Sequence, residues 1–371
     1  MSTNRAPVLV ARRVDTWLVG WLAVAIWAGV FGARLAHVSV GVDLTAQIYW
    51  VGAAVTAAHF GLSYHLAYGL GETGVRARRM ALVVVPLVLL ALLVALGVVS
   101  LAAGRDTTRS VVTWSLTSVF VLTTWHYVKQ VYGIGRVGAA FAGVKLGKRE
   151  VDVLRYGLYP LAWFGGARVL LDGANYSVGG YLVGIGIFPR GVGDGLRVLA
   201  VVGAAAIAVV FVRIARRGPL PAMVFAPYLA AFLWLAYPSS PLMTVLLLAP
   251  MHAIQYLAIG HRAEVAVARQ RGEDVSVSWW LNIFVAATCG GLLLSRWIPN
   301  LLDRWVGSTD QPLLFAALFF VGLNMHHYLI DATIWRSSGE LVRAVARPSA
   351  PAGAPAAPAP VGTLAPAVQP A

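Results

Sequence analysis

Residues 81–103 read ALVVVPLVLLALLVALGVVSLAA, a run without a single charged side chain. A helix needs about 20 apolar residues to cross the hydrocarbon core of a bilayer, so this run predicts a transmembrane helix. Other apolar segments repeat the pattern along the chain. The predicted spans are 15–36, 45–69, 81–103, 111–133, 154–171, 193–215, 221–237, 241–261, 278–297 and 313–335. The sequence therefore predicts an all-α polytopic integral membrane helical bundle with about ten transmembrane helices.

The composition also indicates a membrane protein. Hydrophobic residues make up 59% of the chain and charged residues only 12%, whereas a soluble domain has roughly 25% charged residues. The formal net charge is +14, but the basic residues are scattered through short loops between the apolar segments, as expected of cytoplasmic loops. This distribution argues against binding of nucleic acid. The single cysteine, Cys289, cannot form an intrachain disulfide or a thiolate metal site alone.

The same loops predict how the protein is oriented. Basic clusters such as Arg76, Arg78 and Arg79 follow the even-numbered spans, which places these loops and both termini in the cytoplasm. We predict a transmembrane domain, 1–347, that contains a buried histidine cluster. The Pro- and Ala-rich segment 348–371 is expected to be a disordered cytoplasmic tail, because such low-complexity composition does not build a core.

Histidines are concentrated inside the predicted membrane spans. An ionisable side chain is costly in a bilayer, so it suggests a functional site. His59, His126, His252 and the pair His326–His327 lie on spans that run in the same direction, at depths that agree within roughly 6 Å at 1.5 Å per residue. Neutral imidazole is a common ligand of transition metals. Four helices that each place a histidine in one layer therefore predict a shared metal or haem site.

The neighbours of these histidines add polar groups at helical spacing. Residues four apart share a helix face, which pairs Gln130 with His126 and Asp331 with His327. The candidate metal ligands are His59, His65, His126, His252, His326 and His327. The candidate catalytic or ligand-orienting residues are Asp331, Tyr256 and Gln130. For His65 and His327, direct ligation, ligand support and packing all remain open. His37 and His261 are expected to be structural, and Arg168 is expected to extend to the membrane interface.

Three short motifs resemble a known family. They are HFG at 59–61, MHAIQY at 251–256 and HHYLIDATIWR at 326–336. In these motifs and in its general layout the chain resembles the bacterial Brp/Blh family, polytopic membrane oxygenases that cleave β-carotene to retinal with a histidine-bound iron. The resemblance implies that His59, His252 and His326 stand at ligand positions. It also implies a location in the cytoplasmic membrane of a bacterium.

Together these patterns predict an oxygen-dependent iron enzyme, a dioxygenase or a monooxygenase. Its cofactor would be non-haem Fe²⁺, and its partners would be dioxygen and a lipid-soluble molecule such as an isoprenoid, a carotenoid or another lipid. No motif for an electron donor is visible. One alternative is a membrane electron-transfer protein with haem b between facing histidines. Another is a metal-ion or proton-coupled transporter. In a further alternative, the histidines serve only as hydrogen bonds between helices.

Overall fold

The computed structural model describes residues 9–38, 42–171, 176–178, 181–236, 241–273, 275–306, 313–336 and 340–346. These residues are mainly helical. The helices are α1 (Arg12–Asp15), α2 (Leu22–Leu35), α3 (Val42–Tyr68), α4 (Gly71–Ala77), α5 (Val85–Ala102), α6 (Arg105–Phe141), α7 (Lys148–Tyr156), α8 (Tyr159–Ala167), α9 (Arg190–Ala215), α10 (Ala222–Ala236), α11 (Pro241–Gln270), α12 (Val277–Leu292), α13 (Ile298–Val306), α14 (Leu314–Ile334) and α15 (Glu340–Ala346). The predicted tail, 348–371, lies outside the described residues.

Three π-helical segments continue these helices. Thr16–Trp21 joins α1 to α2, Met80–Val84 precedes α5, and Leu293–Trp297 joins α12 to α13. In a π-helical segment each backbone N–H donates to the carbonyl five residues earlier, instead of four residues earlier as in an α-helix. The three segments therefore extend the neighbouring helices without a break in the backbone ladder.

Five helical stretches in the described part of the chain are long and apolar enough to cross a membrane. They are Arg13–Leu35, Met80–Ala102, Arg190–Ala215, Val277–Val306 and Leu314–Ile334. The helical class predicted from sequence is confirmed. The count of ten spans stays a prediction.

The predicted fifth span, 154–171, is not one spanning helix. It overlaps two helices, α7 and α8, of 9 residues each. At 1.5 Å per residue each is roughly 14 Å long, about half the thickness of the hydrocarbon core. Pro160 lies in the first turn of α8, where proline is tolerated, but a proline there also stops α7 from continuing without a break.

A short hairpin follows α8. Strands β1 (Tyr176–Val178) and β2 (Tyr181–Val183) are antiparallel, with Ser177 opposite Leu182. The backbone N–H of Gly184 donates to Thr117 Oγ1 on α6 at 3.2 Å. The hairpin is therefore attached to the N-terminal half of α6. From the sequence, 172–192 is too apolar for an ordinary loop, and the structure explains part of this because Val183 is fully buried.

Four helices form the centre of the protein. α3 packs against α11 and α14, and α6 also packs against α14 and α11. Other helices surround this group: α12 lies on α3, α5 on α14, and both α8 and α10 on α6. The central four are the helices that carry the histidine layer predicted from sequence.

Glycines allow α3 and α12 to approach closely. A Cβ atom on Gly61 would overlap the backbone of Ala287, and one on Gly291 would overlap the backbone of Ala57. Small residues that let helix backbones touch are typical of helix pairs in membranes. The two contacts are reciprocal, so α3 and α12 are held at short distance over a full helical turn beside His59.

Adding one methyl group at this contact should destabilise the protein. For Gly291→Ala we expect a loss of about 1–3 kcal/mol, because the new Cβ cannot fit unless α12 moves away from α3. Unfolding in mixed micelles would measure it. The matched control is Gly290→Ala, since a Cβ on Gly290 meets nothing within 4 Å. Equal midpoints for both variants would show that the close approach contributes little to stability.

Candidate metal centre

Four buried histidines meet at the centre of the bundle. They are His59 on α3, His126 on α6, His252 on α11 and His327 on α14, and one ring nitrogen from each lies within 4.8 Å of the others. Their exposed fractions are 2%, 8%, 8% and 1%, in that order. We call these residues the four-histidine cluster. Because each comes from a different helix, the cluster exists only when the four helices are packed together.

The ring nitrogens of the cluster form two close pairs. Nε2 of His59 lies 2.8 Å from Nε2 of His327, and Nε2 of His126 lies 3.1 Å from Nε2 of His252. Four nitrogens bound at 2.0–2.1 Å to one tetrahedral ion are separated by roughly 3.3 Å. The two closest pairs are somewhat nearer than this, at hydrogen-bonding distance, and all four nitrogens lie within 4.8 Å, so small ring shifts would place them around one ion. The cluster could therefore hold a metal ion, and imidazole donors suit iron, zinc, copper and nickel alike.

Aromatic packing fixes the rings of His59 and His327. The Nδ1 atoms of both are buried and have no hydrogen-bond partner among the described residues. Metal-bound histidines usually donate this N–H to a second group. Here the two rings contact each other with centroids 4.4 Å apart, and the Tyr256 ring lies 4.2 Å from that of His59. Ring packing takes over the orienting role at these two positions.

Asp331 lies beside the cluster. Its Oδ2 atom is 3.5 Å from His327 Nε2 and 3.7 Å from His126 Nε2. Its Oδ1 atom accepts hydrogen bonds from the Tyr256 hydroxyl at 3.0 Å and from Ser63 Oγ at 3.4 Å. One carboxylate oxygen thus faces the histidines while the other is held by two helices. Asp331 would therefore stabilise the charge of a bound ion or approach the ion itself.

A tryptophan extends this network. Trp335 Nε1 donates to the Tyr256 hydroxyl at 3.2 Å. Tyr256 is therefore held at both its donor and its acceptor side, between Trp335 and Asp331. The sequence identified Tyr256 and Asp331 as candidates but missed Ser63 and Trp335. The same four-residue spacing could have found both, since Ser63 follows His59 and Trp335 follows Asp331 by one turn.

Gln130 connects α6 to α11 at the cluster. Its Nε2 donates to the backbone carbonyl of His252 at 2.9 Å, not to an imidazole. Pro250 lies within α11 two residues earlier, and a proline cannot donate the usual backbone bond inside a helix. Gln130 thus contacts α11 near a point where its backbone ladder is interrupted. The structure places this residue as a support for His252 and outside the cavity wall.

His326 lies outside the cluster. Its Nε2 is 3.1 Å from the carbonyl oxygen of Ala81, which can only accept, so Nε2 carries the proton. Its Nδ1 then accepts from the Tyr64 hydroxyl at 2.8 Å. Both nitrogens are occupied, and no lone pair is left for a metal. His327 occupies the place in the cluster for which the sequence favoured His326.

The remaining histidines are also apart from the cluster. His65 Nε2 lies 3.4 Å from Glu264 Oε1, and its side chain is 48% exposed. The ring of His261 contacts Trp280 edge-on, with centroids 4.5 Å apart. His37 follows the end of α2 and is exposed. Of the six histidines predicted as ligands, the structure brings together four and places His65 and His326 elsewhere.

A cavity of about 190 Å³ adjoins the cluster. All four histidines line it, with walls that are mainly aliphatic and aromatic. The other lining residues are Thr56, Phe60, Phe120, Thr123, Thr124, Tyr127, Gly165, Arg168, Val169, Val183, Leu235, Leu248, Ala249, Phe320, Asn324 and Tyr328. An engineered cavity of 150 Å³ holds benzene, so this one admits a segment of an apolar molecule. A metal ion at the cluster would face that segment directly.

No family model, curated protein or solved structure matches this chain. The interpretation of the site therefore depends on its own geometry.

Proposed function

We propose that the protein is an integral membrane oxygenase whose non-haem iron is bound by His59, His126, His252 and His327. It acts on a lipid-soluble substrate. In this proposal the bundle crosses the bacterial cytoplasmic membrane with about ten spans and has both termini in the cytoplasm. The observation that carries the proposal is the four-histidine cluster on the wall of an apolar cavity.

The donor set supports an open metal site. Four neutral imidazoles leave one or two positions free on an ion that takes five or six ligands, and iron bound there would supply the activation of dioxygen. Asp331, fixed by Tyr256 and Ser63, places a carboxylate oxygen within 3.7 Å of the Nε2 atoms of His126 and His327, where its charge would stabilise a bound cation. The aromatic walls exclude bulk water and keep an apolar chain next to the cluster.

The cluster favours a single ion over haem b. All four ligand atoms lie within 4.8 Å of one another. A porphyrin ring placed between any two of these imidazoles would therefore overlap the other two. The cavity of about 190 Å³ is also far too small for a macrocycle with more than 30 heavy atoms, because a cavity of 150 Å³ holds a single benzene.

The cavity walls disfavour a cation transporter. A pathway for protons or metal ions needs polar or acidic groups along its length. Here the described lining is mainly apolar, and the formally charged side chain on it is the cation Arg168. A positive charge beside the route would repel the transported ion. An enzyme that takes an apolar substrate fits these walls better.

The motifs that resemble the Brp/Blh family support the same proposal, with one change. HFG and MHAIQY contribute His59 and His252 to the cluster, but the final motif contributes His327 in place of His326. The added ligand, His126, comes from a helix without a counterpart among the three motifs. We therefore keep the oxygenase chemistry and leave β-carotene as one member of a wider panel of substrates.

Metal analysis with an optical spectrum tests this function. We expect iron in about stoichiometric amount and no Soret band in protein purified in mild detergent. Removing the iron with a chelator should abolish oxygen consumption with a panel of isoprenoid and straight-chain lipids, and adding Fe²⁺ should restore it. A Soret band, or oxygen consumption that survives complete removal of iron, would contradict the proposal.

A further inference from the structure

Arg168 lines the cavity that adjoins the four-histidine cluster. The sequence predicts that this side chain extends to the membrane interface, and in the structure it is partly buried on the cavity wall. Among the described residues on that wall, it alone carries a formal charge when the histidines are neutral. A guanidinium group stays protonated in proteins, and a charge that leaves water for apolar surroundings is costly unless a counter-charge is present.

The counter-charge is missing from the described part of the protein. The backbone N–H of Arg168 donates to Phe164, but no hydrogen bond or ion pair joins its guanidinium group to another described residue. The nearby Arg155 differs, since its Nε donates to the Tyr159 hydroxyl. The guanidinium donors of Arg168 are therefore available to a ligand in the cavity that this residue lines.

The packing of α8 on α6 shows how far Arg168 lies from the four-histidine cluster along α6. Thr124 on α6 donates to the carbonyl of Ala162, and Gly166 lies against Val121. Further along, Val169 belongs to the same apolar cluster as Leu116. The two helices thus run antiparallel. Arg168 is level with a point about seven residues before His126, or roughly 10 Å along the axis of α6.

We propose that the cavity binds a carboxylate with a single apolar chain, whose anionic group pairs with Arg168 while the chain extends toward the four-histidine cluster. Arginine presents a planar fork of donors that matches a carboxylate with two parallel hydrogen bonds. The volume of about 190 Å³ is too small for a two-chain phospholipid. A fatty acid or a linear isoprenoid acid fits both the charge and the shape.

This arrangement sets which part of the chain would react. With its carboxylate at Arg168, a molecule presents to the histidines a carbon several bonds from the acid group. That the ligand is a substrate rests on the proposed function, whereas its binding does not. The inference narrows the lipid-soluble substrate to an anionic amphiphile and predicts a reaction remote from its polar end.

Binding of octanoate measures this directly. Radiolabelled octanoate and its methyl ester are titrated against the full-length protein in a non-ionic detergent. We expect the wild type to prefer the acid. Arg168→Gln should weaken octanoate binding by roughly 10- to 100-fold, the usual effect of a lost hydrogen-bonded charge pair. Binding of the ester should not change, and Arg168→Lys should retain part of the affinity for the acid.

The control is Arg190→Gln, which makes the same change at the exposed first residue of α9, outside the cavity. Equal affinity of the wild type for acid and ester, or equal losses in Arg168→Gln and Arg190→Gln, would overturn the inference. If octanoate binding depends on Arg168 but the protein holds no iron, the carboxylate site would stand and the proposed oxygenase function would be wrong. Normal iron content in Arg168→Gln would show that a loss of binding does not come from the cluster.

Discussion

Replacing His59, His126, His252 and His327 together with alanine should reduce the bound metal to background. In the part of the chain that the structure describes, these four imidazoles form the group whose ring nitrogens lie within 4.8 Å of one another. Without them, Asp331 is the remaining candidate donor near the site, and one carboxylate does not retain a transition metal against a chelator. Single replacements should each lower the metal content, because each removes one of four ligands. Metal analysis of the purified variants measures the number of metal ions bound per protein.

The chain contains its own matched control for this experiment. His65, His261 and His326 lie on α3, α11 and α14, the same helices as three of the cluster histidines, but each has another partner: Glu264, Trp280, and the Tyr64–Ala81 pair. A triple alanine variant of these three should keep its metal. If both sets of variants lost metal equally, the helices and not the cluster would be responsible. If neither lost it, the metal would lie elsewhere.

The sequence predicted the helical class and the histidine layer for a physical reason. Apolar runs and the histidines inside them are local signals, and residues on helices that run in the same direction can be compared in depth by counting. His59, His126 and His252 could be found in this way because none of them has another histidine directly beside it in the sequence. The distance of each from the start of its span was sufficient to place all three in one layer.

The rotation of a helix about its axis was harder to predict. His326 and His327 are adjacent, so their depths agree, but their directions differ by about 100°. Only packing decides which one faces the centre of the bundle. Here His326 contacts the Ala81 carbonyl in the π-helical segment that precedes α5. The resemblance favoured His326, whereas the structure brings His327 to the cluster.

Arg168 shows a second limit of the sequence. A basic residue near the end of an apolar run usually extends to the interface. Pro160 marks the break between the two short helices, but no local residue indicates that a hairpin beyond them is attached to α6 through Thr117. The position of Arg168 follows from this tertiary arrangement. Such arrangements depend on contacts between segments far apart in sequence, which no local pattern contains.

Asp331→Asn should weaken metal binding by about 10- to 100-fold, which is the usual effect of replacing a residue that supports metal ligands. Asparagine keeps the shape but removes the negative charge that faces His126 and His327 at 3.7 and 3.5 Å. That charge would stabilise a bound cation. The affinity is measured by competition with a chelator of known strength. Asp194→Asn, at an exposed position on α9, is the control for the change in net charge.

Tyr256→Phe separates the two roles of Asp331. It leaves the carboxylate and its charge in place but removes the hydroxyl that donates to Oδ1 at 3.0 Å. If the charge acts directly on the ion, the phenylalanine variant should bind metal nearly as well as the wild type. If the exact position of the carboxylate is what matters, freeing its Oδ1 should let the side chain turn away from the ion and cost a substantial part of the affinity. An unchanged affinity in Asp331→Asn as well would mean that the four imidazoles alone hold the ion.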